Sequence, residues 1–123
     1  MKIAEAIARL NSLKHNVFPF EEKVGWLSRL DHMIKKHIID THEGGDKVAY
    51  QGYTPETDPE TELLAPAPFD EMYLRWMEAQ IDYQNGEYDR YNQSILMFKA
   101  EYDGFARWYN RNHMPLGGKM KYF

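Results

Sequence analysis

The sequence predicts an all-α protein, a small bundle of about four helices. Four segments place apolar residues at the three- and four-residue spacings of one helix face. The last of them keeps a seven-residue apolar repeat from Tyr88 to Tyr109. The chain has 123 residues, of which 43% are hydrophobic and 28% charged, and a chain of this size can bury a core without a metal or disulfide. We therefore predict a single helical domain over residues 1–112, with a long loop at 41–66, followed by a flexible C-terminal arm at 113–123.

Two helices are predicted before residue 41. The first covers residues 2–13, where isoleucine and leucine recur at intervals of four and three. The second begins at Pro19, because proline fits the first turn of a helix and the two acids after Phe20 favour its positive end. Its apolar stripe continues through Phe20, Val24, Leu27, Leu30 or Asp31, Ile34 and Ile38. Gly44 and Gly45 are expected to end it.

Between residues 41 and 66 the helical period is lost. The stretch KVAYQGY alternates as a strand does, which permits a short β-hairpin or an edge strand there. The stretch TPETDPETE after it is rich in proline and acid and is predicted to be an exposed loop. A loop of this length in a small domain is usually functional or mobile.

The third and fourth helices are predicted to form a long antiparallel αα-hairpin. A proline-rich entry opens the third helix, and Glu71 and Arg75 would form a favourable pair four residues apart. The repeat of the fourth helix is Tyr88, Tyr91, Ile95, Phe98, Tyr102, Phe105 and Tyr109. Asn85-Gly86 lies between the two helices and is a common β-hairpin signal, but the flanking runs have helical spacing and no alternation. We therefore expect Asn85 and Gly86 to form the joint, with Gly86 in the left-handed conformation that ends a helix.

The composition argues against several classes of protein. The chain has no cysteine, which excludes disulfides, thiol nucleophiles and thiolate-rich zinc sites. The N-terminal stretch is a poor signal peptide, because Glu5 interrupts its apolar part. No run reaches the eighteen apolar residues of a membrane span, so no membrane association is expected.

The motifs do not predict an enzyme, a cofactor or a metal site. No serine lies in a Gly-x-Ser-x-Gly turn, and neither glycine pair has the pattern of a phosphate-binding loop. His32, His37 and His42 follow at intervals of five, which on a helix leaves successive side chains about 140° apart. They could share a metal only if the chain after Ile38 folded back. Surface or capping roles are expected for these histidines.

The aromatic residues at 66–93 are predicted to be packing residues. Base stacking on nucleic acid needs exposed rings interleaved with Lys and Arg. Only Arg75 and Arg90 are basic in this segment, acids outnumber them, and the rings fall on helical stripes. A helical core or a subunit interface is the favoured interpretation.

Charge is distributed unevenly along the chain, whose formal net charge is −4. Residues 48–74 carry acids and no Lys or Arg, and the exposed loop among them contributes Glu56, Asp58, Glu60 and Glu62. After Asp103 the chain carries basic residues and no acid. Opposed segments of this kind suit head-to-tail packing of like subunits or docking on a charged partner, although two solvated surfaces would show the same pattern.

The basic and aromatic tail WYNRNHMPLGGKMKYF permits two interpretations. It is either a frayed terminus or an arm that orders on a partner. In the second case Met120, Tyr122 and Phe123 would be its anchors, and Lys119 and Lys121 would steer it.

Three groups of residues form recurring motifs. The first group is Asn16, Glu22, Lys23, Trp26, Leu27, Leu30 and Asp31. The second is Pro66, Pro68, Phe69, Asp70, Tyr73 and Trp76. The third is Ala79, Ile81, Asp82, Asn85, Gly86, Glu87, Tyr91 and Asn92. Together they resemble the small head–tail connector (neck adaptor) proteins of tailed bacteriophages and prophages, over most of the chain except the loop and the last ten residues.

The resemblance implies a structural protein that is not an enzyme. Such adaptors form a ring, usually dodecameric, below the portal protein, extend the DNA channel and offer a platform for the next neck or tail-completion protein. The implied location is the head–tail junction of the virion, and the host cytoplasm during assembly.

The resemblance also suggests roles for the charged segments. The portal-docking arm would comprise Arg107, Arg111, Lys119, Met120, Lys121, Tyr122 and Phe123. The acidic loop, with Glu56, Asp58, Glu60 and Glu62, would face either the DNA channel or a neighbouring subunit. A negative channel would let DNA pass without sequence-specific binding, because nothing attracts its phosphates.

Two other functions remain open from the sequence. The chain could be a small helical regulator or inhibitor that acts through one protein interface. It could also be a metal-dependent helical-bundle enzyme that uses His32 and His37.

Overall fold

Four α-helices form most of the protein, in a computed structural model that describes residues 1–116. They are α1 (Ile3–Leu13), α2 (Phe20–Ile34), α3 (Met72–Gln84) and α4 (Tyr88–Asn112). A π-helical turn, Lys35–Ile39, continues α2, and two 3-10 turns lie at Gly45–Lys47 and Phe69–Glu71. Residues 1–116 contain no β-strand but only two isolated bridges, Lys2 to Glu62 and His42 to Pro115. The all-α class is confirmed, and the β-hairpin that the loop sequence permits is not formed.

Helix α3 lies at the centre, with α1, α2 and α4 packed against it. Each helix contributes its apolar face to one core, and the large side chains that are fully buried there include Leu10, Leu27, Leu30, Tyr73, Met77, Ile81 and Phe105. Among residues 1–116 no helix combines the length and apolar character that crossing a bilayer requires.

The end of α2 differs from its predicted form. The apolar stripe predicts a regular α-helix through Ile38, whereas the chain widens into the π-helical turn, in which Asp40 N–H donates to Lys35 O. Gly44 then adopts a φ of 84°, in the left-handed region. A Cβ on Gly45 would lie 2.3 Å from the carbonyl oxygen of Ile39, so only glycine fits the close return of the chain.

A glycine-ended turn joins α3 to α4. Gly86 has a φ of 74°, as the sequence predicts. Its N–H donates to Tyr83 O, and the N–H of Glu87 donates to Asp82 O at 2.8 Å. These two bonds are the Schellman pattern, which satisfies carbonyls at the end of α3 and reverses the chain within three residues.

Helices α3 and α4 run side by side in opposite directions from this joint. Their contacts proceed outwards from it: Ser94 Oγ to Asp82 Oδ2 at 3.2 Å, Trp76 to Phe98 at 5.1 Å between ring centroids, and Phe69 to Phe105 at 5.6 Å. The heptad stripe of α4 therefore packs on α3 and on the turn before it.

Burial along that stripe increases with distance from the joint. Phe98, Phe105 and Tyr109 are buried, whereas Tyr88 is 59% exposed. The first two turns of α4 and the end of α3 thus extend past the core as a hairpin with an aromatic tip.

The first residues of the predicted C-terminal arm are packed on the domain. The ring of His113 stacks on Tyr109 with centroids 3.8 Å apart. Glu43 N–H donates to Met114 O at 2.7 Å, and Leu116 N–H donates to Thr41 O at 3.0 Å. The turn after α2 therefore shares backbone hydrogen bonds with Met114 and Leu116.

Candidate functional site

Asp31 forms a buried polar centre between α2 and the segment that follows it. One carboxylate oxygen accepts hydrogen bonds from Tyr53 Oη at 2.5 Å and from the Leu64 N–H at 3.0 Å. The other accepts from Tyr73 Oη at 2.5 Å. Tyr73 Oη in turn accepts from the Ala65 N–H at 2.8 Å. One side chain of α2 therefore holds both ends of the stretch from Tyr53 to Ala65.

Burial controls the titration of this centre. It raises the pKa of Asp31 above its usual range, although the three hydrogen bonds oppose that shift. The pKa values of Tyr53 and Tyr73 are also raised, first by burial and then by the carboxylate of Asp31. Asp31 itself is fully buried, so the carboxylate faces protein donors and no solvent-filled site. Its geometry is that of an anchor.

Ser28, one turn earlier on α2, extends this anchoring. Its carbonyl oxygen accepts from Tyr50 Oη at 2.5 Å, and its hydroxyl oxygen accepts from the Tyr53 N–H at 3.0 Å. The rings of Tyr50 and Tyr53 meet edge to face with centroids 5.2 Å apart. Tyr50 and Tyr53 are thus fixed as a wall that stands beside α2.

That wall closes one side of an apolar groove of about 810 Å³, which we call the α2 groove. Gly25, Arg29 and Met33 of α2 line it together with residues 50–53 and Trp76 of α3. The Trp76 indole is fixed, because its Nε1 donates to Trp26 O at 2.9 Å. A concave, largely apolar surface of this size has the character of a binding site.

A second exposed aromatic surface, the tyrosine tip, lies at the end of the αα-hairpin. It consists of Tyr83, Tyr88 and Tyr91, in which the Tyr83 ring lies 5.8 Å from that of Tyr88 and 5.4 Å from that of Tyr91. Tyr83 and Tyr88 are 55% and 59% exposed. The predicted joint, Asn85 and Gly86, lies within this tip and shapes it.

The predicted acidic residues lie on a surface-exposed acidic turn, residues 54–62. Glu56, Asp58, Glu60 and Glu62 are all exposed. Glu60 pairs with Lys2 Nζ at 3.0 Å, and Glu62 lies 3.3 Å from the Met1 nitrogen. The carbonyls of Pro59 and Thr61 accept from the N–H groups of Ala4 and Ile3, donors that the first turn of α1 leaves free. The acidic turn is therefore attached to α1.

The predicted portal-docking residues are only partly within the structure. Arg107 and Arg111 are exposed on α4 and make no ion pair within residues 1–116. Arg107 borders a shallow depression with His37 and Asn110. The other members of the predicted arm, Lys119, Met120, Lys121, Tyr122 and Phe123, lie outside the described residues.

The structure separates the three closely spaced histidines. His32 lines the α2 groove, while His37 lies beside Arg107 on the α4 side. His42 is buried, and its two ring nitrogens lie 2.6 Å from Ile38 O and 3.0 Å from Asn110 Oδ1. Among residues 1–116 no group of three or more His, Asp or Glu side chains is placed to hold a metal ion.

Two features of these surfaces were not predicted from the sequence. The α2 groove depends on residues 50–53, for which the sequence permits a short β-hairpin or an edge strand and indicates no binding surface. The Asp31 anchor was missed as well, although an acid on the apolar stripe of α2 is an available signal, since a buried carboxylate requires partners.

No protein-family model, no curated protein and no solved structure matches this chain.

Proposed function

We propose that this chain is a structural protein of tailed phages, a head–tail connector that assembles as a ring beneath the portal and links the DNA-filled head to the neck or tail. The main support for the proposal is the arrangement of the motif residues on which the connector resemblance is based. Residues from separate motifs contact one another: Asp31 of the first binds Tyr73 of the second, and Trp76 of the second binds the backbone of Trp26.

A residue of the third motif is also buried, where it links α3 to the residue after α1 and to α4. Asp82, which is buried, pairs with Lys14 Nζ at 2.8 Å and accepts from Ser94 at 3.2 Å. The motifs thus describe a scaffold of mutually packed helices, which suits a protein whose role is to be built into an assembly.

Uncovered apolar surfaces on this scaffold also support the proposal. Besides the α2 groove and the tyrosine tip, α4 exposes Leu96 (67%) and Met97 (47%) on the side away from α3. Exposed apolar patches of this kind are typical of protein–protein contacts. Tyr and Met are also enriched at interfaces.

In the proposed ring the charged segments have separate roles. The segment after Asp103, which begins with Arg107 and Arg111, docks on the portal. The acidic turn faces the DNA channel or the adjacent subunit. DNA passes through without sequence-specific contacts, because acidic side chains do not attract phosphates.

The test is a binding experiment with the portal protein encoded in the same genome, in which the complex is analysed by size exclusion with light scattering and by electron microscopy. We expect a ring of many copies on the portal. The matched variants are a truncation after Leu116 and the double substitution Arg107→Gln/Arg111→Gln. The truncation keeps the hydrogen bond from the Leu116 N–H to Thr41 O.

Each outcome is informative. Loss of portal binding in the truncated chain supports the docking arm, and full binding by both variants contradicts it. A wild-type chain that does not bind the portal contradicts the connector function. In that case a regulator that acts through one interface becomes the better interpretation.

A further inference from the structure

The α2 groove and the tyrosine tip are complementary in chemistry. The groove is a concave, largely apolar cavity of about 810 Å³ with Tyr50, Tyr53 and Trp76 in its lining, within the range of roughly 300–1,000 Å³ that is typical of binding pockets. The tip is a convex group of tyrosine rings, two of which are more than half exposed. A tyrosine ring that entered the groove would meet the side chains of Tyr50, Tyr53 and Trp76, which line it, and aromatic pairs favour ring centroids about 4.5–7 Å apart.

The tip is preformed. Its rings already contact one another, and the two hydrogen bonds of the Gly86 turn fix the ends of α3 and α4 on either side of it. The groove is preformed as well, since hydrogen bonds to Ser28 and Trp26 hold its walls. Contacts between preformed surfaces lose little conformational entropy on association.

The charges at the two surfaces have opposite sign. Arg29 supplies the positive charge on the groove, and its guanidinium donates to Gln80 Oε1 at 3.3 Å. The tip carries Glu87 and Asp89. Glu87 forms an ion pair with Arg90, in which Oε1 lies 3.7 Å from Nη1. Asp89 makes no ion pair within residues 1–116. A tip that entered the groove would bring a net negative end against a basic rim.

We propose that the α2 groove is the receptor for the tyrosine tip of a second copy of this chain, and that this contact is the head-to-tail interface of the assembly. This inference rests on the proposed function. It names the residues that join one subunit to the next in the proposed ring. The groove and the tip are different surfaces of one chain, and a contact made in one direction from each copy to the next is heterologous. Repetition of such a contact closes a ring or grows a filament, whereas a symmetric dimer would make the contact twice, reciprocally, and stop at two chains.

Gly25 offers a way to block the groove without disturbing the fold. A Cβ at this position meets no atom within 4 Å, and the residue lies on α2 at the floor of the groove. Gly25→Trp should fill the groove, and Gly25→Ala is its control, because it adds one methyl group and favours the helix. On the other partner, Tyr83→Ser/Tyr88→Ser removes the tip. We expect each blocked surface to weaken self-association by about 30-fold, as loss of a tyrosine hot spot does.

Mixing the two variants tests the direction of the contact. The Gly25→Trp chain keeps an intact tip, and the Tyr83→Ser/Tyr88→Ser chain keeps an intact groove. Alone, both should sediment as monomers, whereas the wild-type chain and Gly25→Ala form species larger than a dimer, which a reciprocal dimer would not. An equimolar mixture should form a heterodimer and nothing larger, because the second contact cannot be made.

Crosslinking extends the test to weak association, since the chain has no cysteine of its own. A mixture of Gly25→Cys and Asn85→Cys chains, treated with a short bis-maleimide at high protein concentration, should yield covalent dimers that neither chain yields alone. The control pair is Gly25→Cys with Glu56→Cys, whose second thiol lies on the exposed acidic turn. Equal yields from the two pairs would overturn the inference, as would unchanged assembly of Gly25→Trp.

These experiments use the chain alone and so separate this inference from the connector function. Head-to-tail crosslinks without portal binding would keep the inference and remove the proposed function. Portal binding by a chain that gives no such crosslinks would do the reverse.

Discussion

The long segment between α2 and α3 contains two parts that are held in different ways. Its ends, residues 50–53 and 63–65, are fixed by buried polar groups of α2 and α3, above all by Asp31. The acidic turn between them, residues 54–62, lies on the surface. Its backbone forms hydrogen bonds within the turn and with the first residues of α1. Both parts lack helical spacing, yet only the ends contribute to the core.

The difference shows how a small helical domain can hold a long loop in place. The carboxylate of Asp31 gives three donors their acceptor. Each of these donors would otherwise be unpaired, and an unpaired buried donor destabilises the folded state. Fixed ends confine the acidic turn without any apolar residue in it. The loop can therefore present charge at a defined position, which is what a role in the DNA channel or at a neighbouring subunit requires.

The largest expected effect comes from removing the anchor. Asp31→Ala leaves the hydroxyls of Tyr53 and Tyr73 and the N–H of Leu64 without their acceptor, so we expect the free energy of unfolding to fall by about 3–4 kcal/mol. Urea unfolding followed by circular dichroism measures this. Tyr53→Phe is the matched control, which removes one partly exposed donor and should cost about 1 kcal/mol. A loss in Asp31→Ala no greater than in the control would show that the anchor contributes little.

A smaller change in the free energy of unfolding is expected when the pH is raised. Burial raises the pKa of Asp31 in the folded chain above the unfolded value of about 3.9, so between these two pKa values the folded state binds more protons. The stability that this carboxyl contributes is then fully present below the unfolded pKa and is lost as pH rises through the folded pKa. We expect the stability of the wild type relative to Asp31→Asn to decrease over that window, by up to about 1.4 kcal/mol per pH unit. Unfolding at a series of pH values measures it, and a relative stability that rises with pH would contradict the raised pKa.

The smallest effect belongs to the acidic turn. Glu56 is exposed and its carboxylate makes no hydrogen bond or ion pair within residues 1–116. Glu56→Gln should therefore change the free energy of unfolding by less than about 0.5 kcal/mol. The same unfolding assay checks it. A larger loss would mean that the turn itself supports the fold and is more than a presented surface.

Several elements could be predicted from sequence because their signals are local. Helical spacing predicted four α-helices, and the spacing around Asn85 and Gly86 excluded a β-hairpin at the joint. The predicted pair between Glu71 and Arg75 is wrong in the structure. Glu71 instead accepts two hydrogen bonds from Arg9 of α1, at 2.8 and 3.1 Å, while Arg75 pairs with Glu78 and Glu101.

The reason is that a charged side chain on a packed helix can form an ion pair within its own helix or with a neighbouring helix. Sequence spacing shows only the pairs within one helix. A bidentate arginine–carboxylate pair is the stronger of the two, and it forms only once α1 lies beside α3.

By itself the sequence determined the helical class, the αα-hairpin with its glycine joint, and the positions of the acidic and basic segments, because each depends on neighbours within about one heptad. Only the tertiary structure decided that Asp31 anchors the loop, that Tyr50 and Trp76 form the walls of one groove, and that the aromatic stripe of α4 is buried at one end and exposed at the other. These features join residues far apart in the chain. Their partners are selected by packing around α3, and no local spacing encodes that choice.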